Sequence, residues 1–247
     1  MAKVAIVTGG ARGIGRSCAL ALAERGYDVA LVDLRVPEMQ RTAAEIEDRG
    51  RSALQFEADV SSFDAAHQAT DEIVAKWGRI DFLLNNAAIA APQGLLDITE
   101  AEWDRTIDVN LKSCFVWSRH VVPTMLAAGE GRIVSMSSVN AFTGGVTAAV
   151  SKFAYAAAKA GILGLTRSLA KELGPAITVN AICPGVIKTE EGNTLVNARE
   201  TELAKGNALK RLGTPRDIAE LVAFLATVNP TFISGQAITA DGFQWNA

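Results

Sequence analysis

A doubly wound α/β fold, a mostly parallel seven-stranded sheet with helices on both faces, is the architecture that this 247-residue sequence predicts. Three observations carry the expectation. Short apolar runs of strand length alternate along the chain with longer segments of helical composition. A glycine-rich turn stands between the first apolar run and the first helical segment, where such a sheet would need it. No linker rich in Pro, Gly or Ser, no repeat and no low-complexity tract breaks the pattern, so residues 1–247 read as a single domain able to bury most of its unfolded surface.

The first strand is Val4 to Val7, followed by Thr8-Gly9-Gly10-Ala11-Arg12-Gly13-Ile14-Gly15 and a helical segment over Ser17 to Arg25. Glycines allow a tight turn and a close backbone approach to a pyrophosphate, and the free amides at a helix start favour its negative charge. The second strand, Asp28 to Asp33, ends in a carboxylate. In a glycine-turn fold of this kind, a carboxylate there accepts hydrogen bonds from adenosine ribose hydroxyls and repels a 2′-phosphate. NAD is therefore expected ahead of NADP, with Arg12 and Arg35 the cations that would favour the phosphate instead. Ser52 to Phe56, Ile80 to Leu84, Arg132 to Met136, Ile177 to Ile182 and Gln236 to Thr239 supply the remaining strands. Ligands bind such sheets beyond the carboxyl ends of the strands. The candidate site thus comprises Gly9 to Gly15, Asp33, Asp59, Asn85 to Ala88, Ser137, Ser138 and Pro184 to Thr189.

Tyr155 and Lys159 stand four residues apart in FAYAAAKAGILGLTRSLAKEL, a helix-favouring segment, so their side chains share a face. A phenol has a reference pKa of about 10, and an ammonium held nearby favours the phenolate. Tyr155 with a lowered pKa is expected to exchange a proton with a substrate oxygen.

Composition narrows the partners. A net charge of −3 gives no polyanion-binding surface, so nucleic acid is not an expected partner. No apolar stretch reaches the length of a membrane span, and MAKVAIVTGG lacks the core of a signal peptide, so a cytoplasmic location is expected. Cys18, Cys114 and Cys183 have no metal-ligand or disulfide spacing and read as buried or semi-buried thiols, with no metal site.

Taken together the motifs resemble the short-chain dehydrogenase/reductase family, over essentially the whole chain and with a Rossmann-type fold. Thr8 to Gly15 is similar to its TGxxxGxG, Asn85-Asn86-Ala87-Ala88 to NNAG, and Tyr155 to Lys159 to YxxxK, while Val109-Asn110, Pro184-Gly185 with Thr189, Arg211-Leu212-Gly213 and Asp241-Gly242 continue the order. The resemblance implies hydride transfer between a nicotinamide and a secondary alcohol or ketone. Its catalytic residues would be Tyr155 as acid/base, Lys159 lowering its pKa and holding the nicotinamide ribose, Ser138 on the substrate oxygen, and Asn110 supporting a water. It further implies Gly9, Arg12, Gly13, Ile14, Gly15, Asp33, Asn86, Ala87, Ala88, Tyr155, Lys159, Pro184 and Gly185 at the cofactor, Asp59 and Val60 flanking adenine, and Thr189 on the carboxamide.

The family's serine usually stands four residues nearer the tyrosine than Ser138 does, so four extra residues are expected within Thr143 to Lys152. Residues of about 189–212 would form a substrate cover whose polarity points to a polyol, sugar or sugar acid. Two alternatives stand beside this. One is an NADPH-dependent 3-oxoacyl-[acyl-carrier-protein] reductase, which tends to carry arginines where this chain has Gly129 and Pro175; the other is a non-catalytic dinucleotide-binding protein. Homotetramers are implied, formed through the helical segments Thr99 to Ala128 and Phe153 to Leu173, and Phe243 and Trp245 are expected at a subunit interface.

Overall fold

The computed structural model describes residues 2–145, 151–189 and 194–244. Seven parallel strands, β1 (Lys3–Thr8), β2 (Tyr27–Asp33), β3 (Ala53–Glu57), β4 (Phe82–Asn85), β5 (Gly131–Met136), β6 (Ile177–Pro184) and β7 (Ala237–Ala240), lie in the order β3-β2-β1-β4-β5-β6-β7. Each overlaps the apolar run that predicts it. β6 extends to Pro184 because Cys183 and Pro184 still pair with Thr239 and Ala240 of β7.

Strand side chains divide by parity between two cores, one on each face. Ala5, Val7, Leu31, Phe82 and Leu84 pack on α1 (Gly13–Glu24), α2 (Val36–Glu47) and α10 (Pro215–Thr227). Val4, Ile6, Leu83, Ile133 and Val179 face α3 (Phe63–Trp77) and α5 (Ser113–Ala128), where Trp117 and Met125 are fully buried. Burial on both faces explains why the strands read as continuous apolar runs rather than as alternating ones.

Helix ends follow local chemistry. Ser62 caps α3 by accepting from the Ala65 amide, and Gly78 ends it in a left-handed conformation, φ 73°. Thr99 and Glu102 form a reciprocal capping box at the start of α4 (Glu100–Ile107), and Thr214 with Asp217 does the same for α10. The predicted helical stretch Thr99 to Ala128 is not one α-helix: a π-helical turn, Asp108–Lys112, separates α4 from α5. Short α6 (Asn140–Thr143) precedes the long α7 (Phe153–Leu173), and α8 (Thr194–Ala198) and α9 (Glu200–Lys205) lie in the stretch expected to cover the substrate. No helix among the described residues is long and apolar enough to cross a membrane.

The chain leaves β1 toward β2 and β3 on one side and returns through β4 on the other. A crevice therefore opens beyond the ends of β1 and β4, the topological switch point.

Candidate active site

A cleft of about 700 Å³ occupies that crevice. It is lined by Gly9, Arg12, Gly13, Ile14 and Gly15 from the turn after β1, Asp33 at the end of β2 with Leu34 and Arg35 beyond it, and Ala58, Asp59 and Val60 after β3. Asn86, Ala87, Ala88 and Ile89 after β4, Arg105 and Val109, and Thr189 complete it.

The glycine turn is shaped by steric need. Gly9 and Gly13 have φ of 66° and 54°, a region that side chains disfavour. A Cβ on Gly15 would lie 1.9 Å from the Gly9 carbonyl oxygen and 2.6 Å from the Asn86 amide nitrogen. The turn therefore folds back on the start of α1, which leaves a concave backbone cradle of the kind that fits a pyrophosphate. Thr8 fastens the two sides of the crevice: its hydroxyl donates to the Leu84 carbonyl and accepts from the Asn86 amide at 2.9 Å and the Ala87 amide at 3.2 Å. Asn86 returns the tie by donating to the Thr8 and Gly9 carbonyls.

Asp33 closes the next wall. One carboxylate oxygen accepts from the Ala11 amide and the other from the Arg35 amide, each at 3.1 Å, so Asp33 also braces the glycine turn. Asp59 pairs with Arg105 at 2.7 Å and accepts from both the amide and the hydroxyl of Ser61. Burial raises the Asp59 pKa, but the Ser61 hydrogen bonds and the Arg105 guanidinium outweigh it and hold the carboxyl below its usual value.

Beside the cleft, the ends of β5 and β6 meet α7. Lys159 is 2% exposed, and its ammonium donates to the Met136 carbonyl at 2.8 Å. Ser137 donates to the Lys159 carbonyl at 2.8 Å, which pins α7 to the end of β5. The lysine stem passes the Tyr155 ring with Nζ 5.4 Å from its centroid. The expected lowering of the Tyr155 pKa by Lys159 is not found. Burial pushes the phenol up to about 12, the Ser138 hydroxyl offsets this only in part, and the ammonium is engaged at the Met136 carbonyl. Burial also drives Lys159 down to about 8, with Cys114 and Cys183 opposing the shift. All three cysteines are buried, none semi-buried, and burial raises each thiol.

Lys159 gives a pH prediction. Its folded pKa, about 8, lies below the ordinary 10.5, so the fold holds an unfavourable charge at neutral pH and is relieved of it as pH rises between those values. Urea unfolding of the wild type should therefore gain stability relative to Lys159→Met from pH 7.5 to pH 10, with these two pH values about bracketing the window. A constant difference would show that burial of the ammonium carries no such cost.

Asn110 sits fully buried in the π turn. Its amide donates to the Ile89 and Thr106 carbonyls at 3.1 and 3.0 Å, and its side-chain oxygen accepts from the Ile89 amide at 3.3 Å. The side chain thus fastens the loop after β4 to the helix, and π turns of this kind recur at functional sites.

Tyr155, Lys159, Pro184 and Gly185 do not line the cleft. Gly185 instead allows close approach of the chain end, since a Cβ there would lie 2.6 Å from the Asp241 Cβ. The sequence reading missed Leu34, Ala58, Ile89 and Arg105; Leu34 and Ala58 sat next to expected site residues, whereas Arg105 belongs to no motif. The stretch with the four extra residues falls largely on 146–150, and Trp245 on 245–247, outside the described residues. Phe243 is exposed, with φ 60°.

A glycine cradle at the switch point, with a Tyr-Lys-Ser group beside it, is the layout of a dinucleotide-dependent oxidoreductase. Residues 9–242 match the family model described as enoyl-(acyl carrier protein) reductase. The 3-oxoacyl-[acyl-carrier-protein] reductase of Staphylococcus epidermidis is 38% identical over 98% of both chains. A solved structure of a Brucella melitensis 3-oxoacyl-[acyl-carrier-protein] reductase with bound NAD superposes with a TM-score of 0.89 at 34% identity, covering 99% of this chain and 92% of that one. Acetoin dehydrogenase of Enterobacter cloacae gives 0.87 at 35% identity, with 99% and 96% covered. The chain belongs to the short-chain dehydrogenase/reductase family, whose members are NAD(P)-dependent oxidoreductases.

Proposed function

We propose that the chain is an NAD-preferring dehydrogenase/reductase that interconverts a secondary alcohol and a ketone, with a polyol, sugar or sugar acid as substrate class. The observation that carries this reading is the convergence of Ser138, Tyr155 and Lys159 beside the glycine-lined cleft.

The cleft fits the cofactor. Gly9, Gly13 and Gly15 would receive the pyrophosphate, Asp33 the adenosine ribose, Asp59 and Val60 the adenine, and Asn86 to Ala88 with Thr189 the nicotinamide half. The bound nicotinamide supplies the hydride acceptor or donor. Tyr155 gives its phenol proton to the substrate oxygen during reduction and takes it back during oxidation. Ser138, whose hydroxyl accepts from the Asn140 amide at 3.2 Å, keeps its own proton to donate to that oxygen. The positive charge of an oxidised nicotinamide beside Tyr155 would bring the phenol down from about 12, work that Lys159 does not do in the structure. Asn110 holds the Ile89 loop at the reaction end rather than presenting a free amide.

Asp33 supports NAD through its place in the cleft wall. Asp33→Ala is expected to weaken NADH by about tenfold or more relative to NADPH, since charge-assisted hydrogen bonds are worth about 1.5–3 kcal/mol. The ratio of the two dissociation constants is the readout, because loss of the Ala11 tie loosens the turn for both. An unchanged ratio would remove Asp33 as selector.

A second reading, 3-oxoacyl-[acyl-carrier-protein] reduction, is favoured by the 38% identical Staphylococcus relative of that name. Against it, the two positions where such reductases carry arginines hold Gly129, the left-handed cap of α5, and Pro175, and neither presents a cation. Steady-state assays with a panel of polyols, sugars and 3-oxoacyl thioesters decide between the two readings. Self-association fits Phe115 and Leu126 on α5, which with neighbouring Phe63 expose large apolar side chains.

A further inference from the structure

Two consecutive residues after β7 take left-handed backbone, Gly242 with φ 66° and Phe243 with φ 60°. Glycine adopts this region freely, but a bulky residue does so only where surrounding contacts hold it there. The Phe243 ring is 66% exposed, so what holds the turn lies on either side of it. Asp241 Oδ1 accepts from the Phe243 amide at 2.9 Å and closes the turn locally. Gly242 and Gln244 then reach outward: the Gly242 carbonyl accepts from the Ala208 amide at 2.8 Å, and Gln244 Oε1 accepts from the Val186 amide at 3.2 Å.

Val186 and Ala208 flank the stretch that carries Thr189, α8 and α9. Its two ends are also joined to each other, since Gly213 donates to the Val186 carbonyl at 3.1 Å and accepts from the Lys188 amide at 2.8 Å. That ladder binds one end to the other; the turn after β7 bonds each end to the sheet. Gln244 does so at the end nearer the cleft, where a Cβ on Gly185 would lie 2.9 Å from its Oε1. Thr189, three residues past Val186, lines the cleft and stands against the glycine turn, its Cγ2 3.5 Å from where a Cβ on Gly13 would be. The seating of the Val186 peptide therefore governs where Thr189 stands.

We propose that Gln244 is a positioning residue for the nicotinamide end of the cofactor: its side-chain oxygen seats the Val186 peptide and, through it, the stretch that ends in Thr189. The proposal rests on the cofactor reading above and adds to it a residue that does not itself line the cleft.

The test is a calorimetric titration of the wild type, Gln244→Met and Gln244→Glu with NADH and with ADP-ribose, which has the adenosine and pyrophosphate but no nicotinamide. Gln244→Met keeps the length of the side chain and removes its oxygen, whereas Gln244→Glu keeps an acceptor for the Val186 amide. Gln244→Met is expected to weaken NADH by about fivefold, the weight of one neutral hydrogen bond, and to leave ADP-ribose unchanged. Gln244→Glu should retain most of the NADH affinity. Equal weakening of both ligands in Gln244→Met would make Gln244 merely a prop of the fold and overturn the proposal, as would an unchanged NADH affinity. Either result leaves the cofactor reading in place, whereas failure of the wild type to bind NADH at all removes both.

Discussion

Tyr155→Phe is expected to lower turnover by about 10²–10⁴-fold, the contribution of a positioned general acid/base, while leaving NADH affinity intact. The substitution keeps the ring that packs beside the Lys159 stem and removes only the hydroxyl facing Ser138. The Lys159 ammonium keeps its bond to the Met136 carbonyl, so the end of β5 should not move. Stopped assays in both directions, with a parallel NADH titration, measure the effect. Turnover within a few-fold of wild type would exclude the phenol as proton carrier and reopen the non-catalytic reading. In the wild type, oxidation needs the ionised phenol and reduction the neutral one. The oxidation rate should therefore rise with pH and the reduction rate fall, both below the value of about 12 that burial imposes on the phenol.

The second large effect is expected at Gly15. An added methyl would meet the Gly9 carbonyl at 1.9 Å, a contact between two backbone segments that no rotamer relieves. Gly15→Ala must push the turn away from the start of α1, and with it the Asn86 amide that bonds the Gly9 carbonyl. We expect loss of measurable dinucleotide binding together with a destabilisation of about 1–3 kcal/mol, the usual cost of forcing volume into a packed site. Calorimetric titration and urea unfolding report the two separately. Near-normal binding would mean that the turn can open without losing its cradle.

Much of this was legible in the chain. Continuous apolar runs such as Val4 to Val7 belong to strands covered on both faces, and they located the sheet, while the glycine spacing located its switch point. The wall residues Asp33 and Asp59 could be foreseen because the first ends a strand and the second stands just past one. What could not be foreseen depends on distance in three dimensions. Arg105 reaches Asp59 across a sequence separation of 46, with no local pattern to announce it. The Tyr155 pKa misled for a related reason. Spacing put Lys159 on the same face, but only the fold shows its ammonium drawn to the Met136 carbonyl and the phenol deprived of solvent. Asn110 was placed at the site, yet its bonding to the Ile89 loop depends on a π turn that composition does not encode.

That π turn makes the winding of a helix itself a part of the site. An α-helix advances about 100° per residue. Were Asp108–Lys112 to rewind to regular α geometry at its present length, everything on its amino-terminal side would turn by about that angle. Arg105 precedes this turn and Asn110 stands within it, the first facing Asp59 and the second Ile89. The wider winding keeps the two in phase although the stretch holds one residue more than an α turn would, so opposite ends of the cleft are registered to each other by backbone geometry rather than by a side-chain contact.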